Sequence, residues 1–218
     1  MQIIRSGTRA PQVKLAQRLL NVRLSLRPAL AEDSIFGAKT AAATRQFQQF
    51  KGLKADGIVG PNTWRSLGVN LDISHRIILY GQPTNMTCWS AAATMLLGSN
   101  MCVGPGGANL DPQGGLRPQF ENVRVFADAF GLSMEAPQSW TVQGLANLMR
   151  RRPLWVAGWV PSGHAVVYGG MHGDGTVQGT LIVIYDPWPP GRGEVRGELY
   201  GDWVSLHPTA TTYILYEP

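Results

Sequence analysis

Apolar positions in the first 70 residues recur with the 3.6-residue period of a helix. Between Pro11 and Leu24 they are Val13, Ala16, Leu19, Leu20 and Leu24, and further on Ala43, Phe47 and Phe50 share a face. An eight-residue pattern also repeats at a spacing of 23: Asp33-Ser34-Ile35-Phe36-Gly37-Ala38-Lys39-Thr40 aligns with Asp56-Gly57-Ile58-Val59-Gly60-Pro61-Asn62-Thr63. Each copy reads as a turn leading into a short helix. Gly37 and Gly60 break the chain, and Pro61 suits a first helical position, where an N–H is not needed. Three amphipathic helices can bury their apolar stripes only against one another, so residues 1–69 predict a small three-helix bundle.

From Leu71 the pattern changes. Helical periodicity is expected over 88–97, 120–130 and 142–149, and short apolar runs over 154–160, 165–168, 180–185, 203–206 and 211–216 predict strands, parted by Gly, Pro and Asp. Helices first and consecutive strands after them predict an α+β domain over 78–218, its N-terminal helices packed on an antiparallel sheet. Residues 70–77 would be the connection. Between Ser99 and Pro118 lies a stretch of Gly, Pro and Asn without periodicity, and a loop that long is expected at the rim of a cleft.

Composition supports a folded core: of 218 residues 44% are hydrophobic and 15% charged. The longest clean apolar run, Leu181 to Tyr185, is far short of the ~20 residues that cross a bilayer, so no membrane insertion is expected. Charge is unevenly divided. Residues 1–70 hold eleven Lys/Arg against three acidic residues, a net +8, whereas 71–218 hold eight against eleven, a net −3. A basic front module suits an anionic polymer, though nucleic acid is not among the expected partners. Arg5, Arg9, Lys14 and Arg18 interrupt the first twenty residues, which therefore lack a secretory apolar core, so the protein is expected either to stay in the cytoplasm or to be exported by something other than a cleavable signal. Two cysteines make no disulfide framework, and the spacing of Cys88, His164 and His172 is not that of zinc ligands, so no metal or other cofactor is expected.

The front module can be read more closely. Gly7, Val13, Gln17 and Leu20, then Phe36-Gly37 with Thr40, Phe47-Gln48, Gly52-Leu53, and Asp56-Gly57-Ile58-Val59-Gly60-Pro61 with Thr63-Trp64 and Leu67, closely resemble the small peptidoglycan-binding domains of bacterial cell-wall enzymes. The resemblance covers nearly all of residues 1–69 and implies peptidoglycan as a ligand. Ser34 stands where that family usually carries Gly, an exchange suited to a turn that needs no positive φ.

The second module holds the candidate chemistry. Cys88 follows Pro83-Thr84-Asn85-Met86-Thr87, with three residues able to cap a helix, and precedes a helix-favouring run; a thiol there sits at the positive end of the helix dipole, which favours the thiolate. An isolated cysteine is usually just a small buried apolar residue. Cys88 is not isolated. Gln82 lies six residues earlier, where its amide and the Cys88 N–H would offer two donors to an oxyanion. His164 begins an apolar strand beside Gly163, and Asp186 ends the strand Leu-Ile-Val-Ile-Tyr, so its carboxylate emerges beside the histidine if those strands pair.

This order of Gln, Cys-Trp, His and Asp resembles the papain-like cysteine peptidases, in particular their compact bacterial branch of secreted effectors, over roughly 78–216. The resemblance implies Cys88 as nucleophile, His164 as base, Asp186 as the orienting third member where papain carries Asn, and Gln82 in the oxyanion hole. Trp89, Trp159, Trp188 and Gly163 are the expected substrate-binding residues, although tryptophans mostly pack the core. His172 and Asp174 read as solvated residues of a hairpin turn, His75 and His207 as structural, and Cys102 as a bystander.

The leading expectation is a monomeric bacterial cell-wall hydrolase that cuts an amide in peptidoglycan, delivered as a toxin by a type VI machine, with an immunity protein and a secretion component as further partners. The alternatives are a papain-like effector that cleaves proteins and a non-enzymatic wall-binding adaptor.

Overall fold

Pro11 opens the first helix of the computed structural model, which describes residues 1–98, 109–158, 163–207 and 212–218. This helix, α1 (Pro11–Leu24), packs against α2 (Ala38–Phe50) and α3 (Pro61–Leu67), and α3 again opens on a proline and closes on Gly68 at φ +96°. Val13, Leu19, Leu20, Phe47 and Leu67, with Ile4, Phe36 and Val59 from the intervening turns, are fully buried.

Two buried glutamines explain the 23-residue repeat. The Gln17 amide nitrogen donates to Asp33 Oδ1 (2.8 Å), the Ile35 carbonyl (3.0 Å) and Thr40 Oγ1 (3.2 Å), while its oxygen accepts from the Ser34 N–H (3.3 Å). Gln48 binds the second copy in the same way: Asp56 Oδ1 (3.0 Å), the Ile58 carbonyl (2.9 Å), Thr63 Oγ1 (3.2 Å) and the Gly57 N–H (2.9 Å). Each glutamine thus ties a turn to the helix that follows it. Two expectations are corrected here. Ser34 adopts φ +64°, matching Gly57 at +76°, so the first turn does need a positive φ and Ser34 bears the strain. Phe50 is 71% exposed; α2 instead buries Thr40, Thr44 and Gln48, because the turns require polar partners inside.

The remaining elements are β1 (Leu71–Ser74), α4 (Cys88–Leu97), α5 (Phe120–Ala129), β2 (Ser133–Met134), α6 (Val142–Met149), β3 (Leu154–Gly158), β4 (His164–Gly173), β5 (Thr180–Asp186), β6 (Glu194–Leu199), α7 (Tyr200–Leu206) and β7 (Thr212–Tyr216). Among the described residues the strands form a seven-stranded sheet in the order β2-β7-β3-β4-β5-β6, with β1 also pairing with β4. β2 with β7, β7 with β3 and β3 with β4 are antiparallel, Gly158 facing His164 across the last pair. The fold is α+β, as the pattern predicted.

Three aromatic rings hold α4 on the sheet. Trp89 meets Phe126 edge to face at 5.6 Å, Phe126 meets Trp155 at 5.4 Å, and the Trp155 indole donates to the Trp89 carbonyl at 3.0 Å. The first turn of α4 is therefore fixed to β3 directly behind Cys88.

Two further differences from the pattern concern short apolar runs. Residues 203–206 lie in α7, not in a strand: Asp202 favours the helix N-terminus, and Trp203 and His207 stack one turn apart at 5.6 Å. β4 does not stop at Tyr168. Its glycines are demanded by packing, since a Cβ at Gly169 would lie 2.5 Å from both Ile77 Cδ1 and the Tyr185 ring. His172 is consequently a buried strand residue, 2% exposed, with Nδ1 3.0 Å from Asp72 Oδ1, and burial holds it below the ordinary histidine range.

The chain divides into two compact units. One comprises Met1–Ile73, Met171–Val183 and Gly197–Gly201, and the other Ser74–Gly170, Ile184–Arg196 and Asp202–Pro218. No helix among the described residues is long and apolar enough to cross a membrane.

Candidate active site

Cys88 is the first residue of α4, and it is half-buried with a free thiol. The expected side-chain cap is not formed. Thr84 and Thr87 bond to each other's turn instead, the Thr84 N–H donating to Thr87 Oγ1 at 3.1 Å, and Thr87 occupies the N-cap without donating or accepting across it. The Cys88 N–H is left without a hydrogen-bond partner among the described residues, at the positive end of the helix.

His164 begins β4 and Asp186 ends the neighbouring strand β5, so pairing brings the two side chains to the same edge. His164 Nε2 donates to Asp186 Oδ1 at 2.6 Å. A carboxylate can only accept, which puts a proton on Nε2 and leaves Nδ1 able to accept one; the Cys88 thiol lines the same cleft and acts on the ring. Asp186 is itself held on three sides: by His164, by the Trp188 N–H at 2.9 Å to Oδ1, and by Arg196 Nε at 3.2 Å to Oδ2. Arg196, on β6, was missed in the sequence. Half of the segment Glu194-Val195-Arg196-Gly197-Glu198-Leu199 is charged and it carries an interior glycine, so nothing in it signals a strand beside Asp186.

The electrostatics follow from these contacts. Burial disfavours the His164 imidazolium, but the hydrogen bond to Asp186, the one to Cys88 and the charges of both outweigh it, so His164 is pushed up to about 9. Burial also opposes ionisation of Asp186, yet the bond and charge of His164, the Trp188 N–H and Arg196 hold it below the usual carboxylate range. An imidazole so held is a base suited to accept a proton from a neighbouring thiol.

Cys88 and His164 open onto a cleft of about 220 Å³ lined also by Asn85, Met86, Trp89, Asp111, Gly115, Leu116, Pro118, Gly163 and Ala165. The described end of the long loop thus forms one wall of this cleft. Gly163 and Trp89 line it, although most of the Trp89 ring is core and its Nε1 donates to the Gly114 carbonyl at 3.0 Å. Trp188, 47% exposed, and Gln82, 1% exposed, are not among the lining residues. Gln82 Nε2 donates to the Thr84 carbonyl at 2.6 Å, which occupies one of its two hydrogens. Trp159 and Cys102 lie outside the described residues. His75 is tied to the Met149 carbonyl at 2.5 Å and His207 to Trp203. Among the described residues no three His, Cys, Asp or Glu side chains converge as metal ligands would.

Known proteins place this geometry in context. Residues 9–67 match the peptidoglycan binding domain family, and residues 69–199 match the family described as papain-like cysteine protease AvrRpt2. A protein of Kitasatospora aureofaciens, described as an uncharacterized protein in bpoA1 3'region, is 60% identical over 35 residues, a stretch that is 16% of this chain and 30% of that protein. The protease match extends over more than half of the chain and spans Cys88, His164 and Asp186. The chain therefore belongs to the AvrRpt2 family of papain-like cysteine proteases, with a peptidoglycan-binding domain in front of the protease domain.

Proposed function

We propose that this cysteine hydrolase cleaves an amide bond in peptidoglycan. The observation that carries the proposal is the 2.6 Å bond from His164 to Asp186, in an imidazole that shares an open cleft with a thiol at a helix N-terminus. His164 Nδ1 takes the Cys88 proton, and the thiolate attacks the amide carbon. The resulting oxyanion is stabilised by the unpartnered Cys88 N–H, and the second Gln82 amide hydrogen joins it when that buried side chain turns toward the cleft. The imidazolium then gives its proton to the departing amine, leaving a thioester that water hydrolyses with His164 again as base. Asp186 keeps the ring in the required tautomer and offsets its charge.

The front domain supports a wall substrate over a soluble one. Its family binds peptidoglycan, residues 1–70 carry a net +8, and a tether to a repetitive polymer raises the local substrate concentration without tight binding. In this reading the protein acts on the wall of a target bacterium, type VI delivery being the expected route, and is restrained in its producer by an immunity protein that blocks the cleft.

Purified sacculi treated with the protein should release peptide-bearing fragments whose masses identify the bond, and Cys88→Ala should release none while still sedimenting with the sacculi. No new fragments from the parent protein would end the wall-hydrolase reading. A second reading, a protein substrate, is favoured by the match to a family of proteases. Cleavage of casein or of a host extract by a protein inert on sacculi would establish it.

A further inference from the structure

Resting on the hydrolase reading, we infer that Asp111 is the specificity carboxylate of the cleft and binds an aliphatic side chain that ends in an ammonium, such as the dibasic residue of a wall stem peptide. Three observations lead there. The ionisable groups lining the cleft among the described residues are Cys88, His164 and Asp111. Cys88 and His164 share one proton and together carry no net charge wherever it sits, so Asp111 gives the lining its one negative charge, and in a partly desolvated groove that charge selects cations.

The carboxylate is also held in place with one oxygen left over. Asp111 Oδ1 accepts from the Gln113 N–H at 2.8 Å and the Gly115 N–H at 2.9 Å. The Asp111 N–H donates to the Gly115 carbonyl at 2.8 Å, and the turn is anchored to the core by the Trp89 indole. Oδ2 has no hydrogen-bond partner among the described residues. It lies within 3 Å of the same point above Gly115 as the Met86 Cε methyl.

The lining around this charge is apolar. Met86, Trp89, Leu116 and Pro118 offer a path for methylenes, and Oδ2 stands beside Met86 to receive the charged tip. A short acidic or a purely aliphatic side chain matches only half of these features. Gly115 is needed for the arrangement, because a Cβ there would lie 2.7 Å from Oδ2 and push the carboxylate aside.

The test uses the full chain as Cys88→Ala, which prevents turnover, and measures by calorimetry the binding of two synthetic stem peptides that differ only in lysine or norleucine at the dibasic position. Lysine should bind at least about tenfold tighter, the worth of one charge-assisted hydrogen bond. Adding Asp111→Asn, whose Oδ1 still accepts both turn N–H groups, should bring the ratio close to one. Gly115→Ala, which keeps the charge but displaces it, should also lower the ratio. Equal binding of the two peptides by the Cys88→Ala parent, failure to bind either, or a ratio unmoved by Asp111→Asn would overturn the inference. The sacculus digestion, which needs no such preference, judges the hydrolase reading separately.

Discussion

Replacing Asp186 by Asn removes a charge while keeping an acceptor for His164 Nε2. The His164 value of about 9, against an ordinary 6.5, is the sum of burial working downward and of bonds and charges from Asp186 and Cys88 working upward. An opposite charge in contact moves a histidine by roughly 1 to 3 units, and here the contact is 2.6 Å, so Asp186→Asn should lower His164 by about 2 units, a hundredfold loss in proton affinity. NMR titration of the four histidine ring protons reads this directly, with no substrate required. The sign for stability is also defined. Because the folded value lies above the unfolded one, the pairing stabilises the fold fully below pH about 6.5 and ceases to do so as pH rises through about 9. The Asn variant should lose acid-side stability relative to the parent and match it above pH about 9. A His164 midpoint within about 0.5 unit of the parent would refute the reasoning, since Asp186 would then not be what holds the imidazolium.

Two predictions concern the front domain. Ser34→Gly relieves a left-handed serine at φ +64° and should stabilise by about 0.5–1 kcal/mol, less than the full strain because glycine is freer when unfolded; a higher denaturant midpoint with an unchanged slope is the expected result, and a lower midpoint would contradict it. Gln48→Leu keeps the volume but strands the buried Gly57 N–H, and should cost about 1–3 kcal/mol in chemical denaturation, together with weaker sedimentation on sacculi.

The sequence by itself determined six of the seven helices and most of the sheet, and it singled out Cys88, His164 and Asp186, which the fold brings to one site. Periodicity marked α1, Cys88–Leu97 and Val142–Met149 to the residue, since amphipathic helices bounded by Pro, Gly or turn residues state their limits locally. The 23-residue repeat was visible for the same reason, each copy being complete within eight residues. Short apolar runs were ambiguous: 203–206 satisfies either period, and only packing against Tyr168, whose hydroxyl receives the Trp203 indole N–H at 2.6 Å, goes with the helix.

What only the tertiary structure decided lies between elements distant in the chain. The glycines of β4 looked like breakers until Ile77 and Tyr185 were seen to occupy the space above Gly169. Arg196 reaches Asp186 from a strand with no apolar signature, and Asp111 becomes the charge of the cleft because its loop folds back onto Trp89. The positive φ at Ser34 likewise appears only once Gln17 draws the turn inward. Local pattern specifies local hydrogen bonding and which face is apolar; which side chains share a charge, a void or a strained turn depends on distances that no linear spacing encodes.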